Sequence, residues 1–192
     1  MSMKQPNILI LITDQQPASA MSCTGNSHLK TPAMDSLAAA GTRFERAYCT
    51  NPVCLPSRFS LMTGRFPSEL TIRHNDLTGT LPVTGQMRDT SLGPMLRQAG
   101  YETVYGGKTP VPAGIQPRKA GFRMLTNNSR EELATVSADW IRKEHDRPWC
   151  MVASFVNPHD RTGVSGRSAD AAGRRQRRGV PAGSLLAAAG EL

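Results

Sequence analysis

The sequence predicts an α/β protein built on a parallel sheet with helices on both faces. Three observations lead there. Asn7–Thr13 is a strand-like run, apolar without interruption from Ile8 to Ile12. Segments of strand and helix spacing then alternate along the chain to about residue 156. Polar clusters fall where the strands end: Asp14-Gln15, Gly107-Lys108 and Asn157-Pro158-His159-Asp160. A run apolar on both faces fits a central parallel strand, because crossover helices cover both sides of such a sheet. Ligands of these sheets sit beyond the carboxyl ends of the strands.

The first strand is bounded by Pro6 and by Asp14-Gln15-Gln16-Pro17. Thr31-Pro32, then Ala33 to Ala40 and Gly41, gives an N-cap, a proline in the first turn and a glycine stop, hence a short helix. Thr42 to Thr50 alternates as a strand before Asn51-Pro52, and Ser57 to Thr63 resumes helical spacing. Thr90 to Gln98, closed by Gly100, reads as a helix despite Gly93 and Pro94, and Tyr101 to Tyr105 as a short strand running into Gly106-Gly107-Lys108. Ser129-Arg130-Glu131-Glu132 has capping-box spacing and opens a helix to about His145. Trp149 to Val156 is a second buried strand.

Composition bounds the rest. A chain of 192 residues accommodates one domain of ordinary size and excludes a large multidomain enzyme. No apolar run approaches the ~20 residues that span a bilayer, or the length of a signal-peptide core, so no membrane span is expected and the expected location is the cytoplasm. Four cysteines with no C-x-x-C pair argue against a disulfide scaffold and a structural zinc site, so a special cysteine has to be special singly. Of a net charge of +8, half lies in residues 161–192, which hold six Arg, one Asp, one Glu, seven Ala, six Gly and no aromatic residue. The expected organisation is a domain over 1–160 and a low-complexity, disordered Arg/Ala/Gly tail over 161–192. The loss of pattern after Asp160 suggests truncation or a shifted reading frame. The run Arg174-Arg175-Gln176-Arg177-Arg178 is read as solvated rather than as a specific nucleic-acid site, with a non-catalytic basic binding module as the alternative.

Cys54-Leu55-Pro56-Ser57-Arg58, followed by Thr63-Gly64-Arg65, is the most informative segment. Pro56 suits an early helical position, which puts Cys54 at a helix N-terminus where free N–H groups and the dipole favour an anion. Arg58, one turn on, can give a two-pronged contact to an anion or to the group at position 54. On these residues alone, a buried cysteine beside a solvated arginine stays open. Equally, Asp14 alone reads as a loop-starting cap, Lys108 as a surface lysine and His159 as a loop residue.

Cys-x-Pro-Ser-Arg with Thr-Gly-Arg at this spacing resembles the signature of the type I sulfatases. Residues 6–15, 31–65, 101–108 and 154–160 resemble that family's conserved blocks in order. The resemblance implies an alkaline-phosphatase-like α/β fold and hydrolysis of sulfuric esters. It implies that Cys54 is oxidised to formylglycine by a formylglycine-generating or sulfatase-maturating enzyme. The hydrated aldehyde then attacks sulfur, and its second hydroxyl expels sulfate, an exit that a plain thiol lacks. By the same resemblance Asp14, Gln15 and the modified Cys54 hold a divalent metal, most commonly Ca²⁺. Lys108 contacts the sulfate and the formylglycine hydroxyl, and His159 contacts the sulfate or protonates the leaving alcohol. The implied substrate is a sulfate-ester small molecule or a sulfated carbohydrate.

Two departures stand out. Gln15 replaces a frequent second Asp, a pattern of the branch that includes phosphonate monoester hydrolases, which makes phosphonate or phosphodiester hydrolysis the alternative chemistry. Pro110 replaces the family histidine two residues after Lys108 and removes a polar contact. The family's downstream metal ligands cannot be assigned within residues 161–192.

Overall fold

The computed structural model describes residues 5–109 and 111–159. Pro110, Asp160 and the expected tail lie outside the described residues. Four strands form one parallel sheet: β1 (Ile8–Asp14), β2 (Glu102–Gly107), β3 (Arg123–Met124) and β4 (Trp149–Pro158), in the spatial order β1-β4-β2-β3. β4 pairs with β1 from Ile8 opposite Cys150 to Ile12 opposite Ser154, and with β2 from Glu102 opposite Trp149 to Gly107 opposite Ser154. Ser154 therefore lies between Ile12 of β1 and Gly107, the last residue of β2, and the β1–β4 ladder runs on past an irregularity to Asp14 opposite Pro158.

Side-chain alternation sorts the sheet into two faces. Ile10, Ile12, Tyr105 and Val152 point to one face and pack with Leu55, Phe59 and Met62 of helix α2 (Cys54–Thr63) and Met87 of α3 (Gly85–Asp89). Leu9, Leu11, Val104 and Met151 point to the other and pack with Ala134, Ala138 and Ile141 of α5 (Leu133–Ile141). Helices thus cover both faces, as the sequence predicts. α1 (Pro32–Ala40) buries no residue. Its Asp35 accepts from Ser22 Oγ at 2.7 Å and Cys23 N at 2.8 Å, which ties the helix to the preceding turn. α4 (Leu92–Gln98) ends near Gly100, whose φ of 93° lies in the left-handed region open to glycine. Among the described residues no helix is long and apolar enough to cross a membrane.

Three expectations need correction. β1 is an edge strand among the described residues, because its two-sided apolar run reports cover on the faces of the sheet and says nothing of hydrogen bonding along its edges. Thr42–Thr50 is no strand: every residue there is exposed and none joins a ladder, while Arg43 pairs locally with Glu45 at 2.9 Å. Alternation makes a strand only where one face is buried and a ladder forms, and this segment has neither. The helix expected from Ser129 starts at Leu133, because Asn128 Oδ1 accepts from the backbone N–H groups of Arg130 and Glu131, each at 3.1 Å, and builds a turn there. Glu132 accepts from Thr126 Oγ1 at 2.6 Å rather than closing a capping box. That helix ends at Ile141, and His145 turns back to pack against Trp140, ring centroids 4.3 Å apart and planes inclined by 51°.

Phe59, completely buried between α2 and the sheet, and Phe44, 79% exposed, make a direct contrast. Urea denaturation is expected to show a loss of about 3–5 kcal/mol for Phe59→Ala and a change within about 0.5 kcal/mol for Phe44→Ser. A comparable loss for both would contradict the packing described.

Candidate active site

The polar end of β1, the residue that follows β4 and the first turns of α2 line one cleft of about 570 Å³, and Lys108, just past β2, meets it through Asp14. Asp14 ends β1 and is only 7% exposed. Cys54 is the first residue of α2, as the position of Pro56 predicts, and is half-buried. The helix carries no side-chain cap of its own at Val53. Instead Asn75 Oδ1 accepts from the Leu55 backbone N–H at 2.9 Å, a cap delivered from twenty residues downstream. Cys54 Sγ lies 3.5 Å from Asp14 Oδ1 and 3.7 Å from Oδ2.

Two cations hold that carboxylate. Lys108 Nζ is 2.6 Å from Asp14 Oδ2 and 3.8 Å from Cys54 Sγ, while Arg58 Nη2 is 3.3 Å from the same Oδ2. The other prong of Arg58 donates to Ser154 Oγ at 2.6 Å and to the Lys108 carbonyl at 3.2 Å. That carbonyl also accepts from Tyr105 Oη at 2.8 Å. Arg58 is therefore a buried brace beneath the cleft, its two prongs spent on Asp14 and Ser154. The sequence places it one turn from Cys54 but gives no sign of these partners.

Gly107 explains how Lys108 reaches this point. Its φ is +91°, and a Cβ there would strike the Ser154 carbonyl and Leu133, so only glycine lets β2 turn so close to β4. The Lys108 N–H then donates to the Ser154 carbonyl at 2.9 Å.

Burial alone would push the Asp14 carboxyl up. The hydrogen bond and charge of Lys108, followed by the charge of Arg58 and the Cys54 hydrogen bond, outweigh it and hold the group below the ordinary carboxylate value. Asp14 is therefore an anion that neither cation can leave at low cost. Burial pushes the Tyr105 hydroxyl up, against opposing contributions from Ser154 and Arg58.

His159 lines the same cleft, just past the cis Asn157–Pro158 peptide. One ligating atom from each of Asp14, Cys54 and His159 falls within 4.8 Å of the others. Gln15 also lines the cleft, is exposed and takes a left-handed φ of 59°, uncommon outside glycine. The structure thus gathers Asp14, Gln15, Cys54, Arg58, Lys108 and His159 at one place. Sequence reasoning missed Ser154, Asn75 and Cys49, the last of which also lines the cleft. Ser154 falls within the fourth conserved block, where its register with Gly107 gives it importance. Neither Asn75 nor Cys49 carries a motif.

A thiol at a helix N-terminus thus faces a buried carboxylate and two cations at the strand ends of a parallel sheet, the place where ligands of such sheets bind. The family model described as Sulfatase matches residues 6–178, and the chain belongs to the sulfatase family. An N-acetylglucosamine-6-O-sulfatase of Bacteroides thetaiotaomicron is 37% identical over 105 residues, which cover 55% of this chain and 18% of that protein. An ulvan-active sulfatase of Formosa agariphila is 29% identical over 160 residues, covering 81% and 31%. Among solved structures, a sulfatase-type protein from B. thetaiotaomicron superposes with a TM-score of 0.72 at 22% identity, covering 90% of this chain and 40% of that one. A phosphonate monoester hydrolase of Agrobacterium radiobacter superposes with a TM-score of 0.62 at 22% identity, covering 81% and 41%, and shares the fold. The chain spans between about a fifth and two fifths of the length of these proteins.

In metal-free protein, Asp14→Asn leaves Arg58 and Lys108 without their counter-charge and is expected to cost about 3 kcal/mol at pH 7. The folded carboxyl titrates below the ordinary aspartate value of 3.8, so its contribution is complete above that value and is lost as pH falls through the lowered folded value. Urea titrations should therefore show the gap between wild type and variant narrowing below about pH 4. A gap independent of pH would contradict the ion cluster.

Proposed function

We propose that this chain carries the nucleophile and part of the anion-binding wall of a sulfuric-ester hydrolase, with Cys54 as the precursor of formylglycine. The observation that supports this most is the position of Cys54 Sγ, at the first residue of α2, 3.5 Å from Asp14 and 3.8 Å from Lys108. The N-terminus of α2 and the Lys108 ammonium, 3.8 Å from residue 54, favour a tetrahedral anion there. Formylglycine supplies a hydrated aldehyde, one hydroxyl to attack sulfur and a second to expel sulfate.

Asp14 and Gln15 fit a hard divalent cation in kind, offering an ionised carboxylate and an amide carbonyl at the cleft. They supply part of the roughly six to eight oxygens that calcium takes. When bound, such a cation polarises the sulfate oxygens. Lys108 holds a sulfate oxygen by charge, and Arg58 acts as a positioning residue that fixes Asp14 and the end of β4. His159 donates a proton to the oxygen of the leaving alcohol. The names of the relatives favour a sulfated carbohydrate as the substrate class, with aryl sulfates as simple probes. Gln15 beside Asp14, together with the phosphonate hydrolase fold, supports aryl phosphonates as the second substrate class.

Co-expression with a formylglycine-generating enzyme is expected to convert Cys54 to the aldehyde, read by peptide mass, and the modified chain to release sulfate from an aryl sulfate faster than from an aryl phosphonate. An unmodified thiol with no sulfate released would overturn the proposal, and the opposite rate order would favour the second reading. In the modified chain, His159→Ala should lower turnover by about 10²–10⁴-fold, most for esters of weakly acidic alcohols. An equal loss for all leaving groups would remove His159 from the acid role.

A further inference from the structure

We propose that, while residue 54 is still a thiol, Cys54, Asp14 and His159 form a soft-metal site that takes Zn²⁺ in preference to a hard cation such as Ca²⁺. The proposal concerns the chain before modification and does not depend on ester hydrolysis. A tetrahedral zinc bound to a thiolate at ~2.3 Å and a carboxylate at ~2.0 Å separates sulfur from oxygen by about 3.5 Å. Cys54 Sγ and Asp14 Oδ1 are already 3.5 Å apart. Since every pair of ligating atoms in the trio lies within 4.8 Å, the imidazole of His159 needs at most about 1.5 Å of approach to complete a three-ligand face.

The division of labour within Asp14 also favours the arrangement. Lys108 and Arg58 both bind Oδ2, which leaves Oδ1, the oxygen nearer the thiol, for a metal. The fourth coordination position opens to the cleft of about 570 Å³, with room for water. One sulfur, one nitrogen and one oxygen make a donor set that suits zinc and is poor for calcium, which takes oxygens alone. The two cations oppose a dication, and the thiolate together with Asp14 offsets them. Binding replaces the thiol proton: the S–H bond breaks, a sulfur–metal bond forms and one proton leaves to solvent. The site draws on three separate elements, β1, α2 and the end of β4, so no C-x-x-C spacing announces it.

The test uses the full chain with an intact-mass-verified thiol at position 54. Titration with Co²⁺ is expected to produce a near-ultraviolet thiolate-to-cobalt band that stoichiometric Zn²⁺ abolishes and excess Ca²⁺ leaves in place. Cys54→Ser should lose the band, Cys49→Ser should keep it, and His159→Ala should weaken Co²⁺ binding by about tenfold or more. Without any substitution, Zn²⁺ and not Ca²⁺ should slow alkylation of Cys54 in the wild-type chain, read by peptide mass. Absence of the band with no protection from alkylation would overturn the proposal. So would a band that survives Cys54→Ser or disappears in Cys49→Ser. None of these readouts involves the aldehyde or sulfate release, so this proposal and the sulfuric-ester hydrolase reading can fail separately.

Discussion

The arrangement depends on one buried carboxylate. Asp14 sits at the end of an apolar strand, nearly out of solvent, and stays charged because Lys108 and Arg58 both reach it. Burying an ion without partners costs several kcal/mol, so the three groups hold one another in place. Each arrives from a different element: β1 brings Asp14, the loop after β2 brings Lys108, and α2 brings Arg58. β4 joins them, since Ser154 accepts from Arg58 through its hydroxyl and from the Lys108 N–H through its carbonyl. The sheet register therefore sets the site as directly as it sets the fold.

The same constraint shapes the chemistry available to Cys54. Its sulfur faces an anion at 3.5 Å and an ammonium at 3.8 Å, a polar setting unlike that of Cys150, whose thiol is pushed up to about 11 by burial in the core. Under the two proposals above, the group at position 54 sets which cation suits the cleft. A thiol adds a soft donor to Asp14 and His159, whereas an aldehyde hydrate adds oxygen beside Asp14 and Gln15. Arg58 stays committed to Asp14 and Ser154 in either case, whereas Lys108 lies within reach of both Asp14 and residue 54.

Much of this was legible in the sequence where local chemistry dominates. The apolar run of β1, the Thr31-Pro32 helix start and the Cys54-x-Pro56 spacing each found their element, because first-turn prolines and two-sided apolarity act within a few residues, although the Thr31 side chain caps no backbone N–H. The clusters Asp14-Gln15, Gly107-Lys108 and Asn157–His159 did come together, because parallel strands deliver their carboxyl ends to one edge. What failed was set by distant partners. The alternating segment Thr42–Thr50 buries no face and joins no ladder, and Asn128 pre-empted the capping box at Ser129. The tertiary cap from Asn75 and the brace from Arg58 to Ser154 span 20 and 96 residues, and no short-range pattern encodes them. The family motif marked Arg58 as important without revealing that it works from beneath the cleft.

The most direct test of the central interaction is a double-mutant cycle on stability in metal-free protein at pH 7, combining Asp14→Asn with Lys108→Met. A pre-organised, largely desolvated pair predicts a coupling energy of about 2 kcal/mol or more. A coupling below about 0.5 kcal/mol, with the two losses simply adding, would mean that Lys108 does not hold Asp14. The account of the site built on that carboxylate would then be wrong.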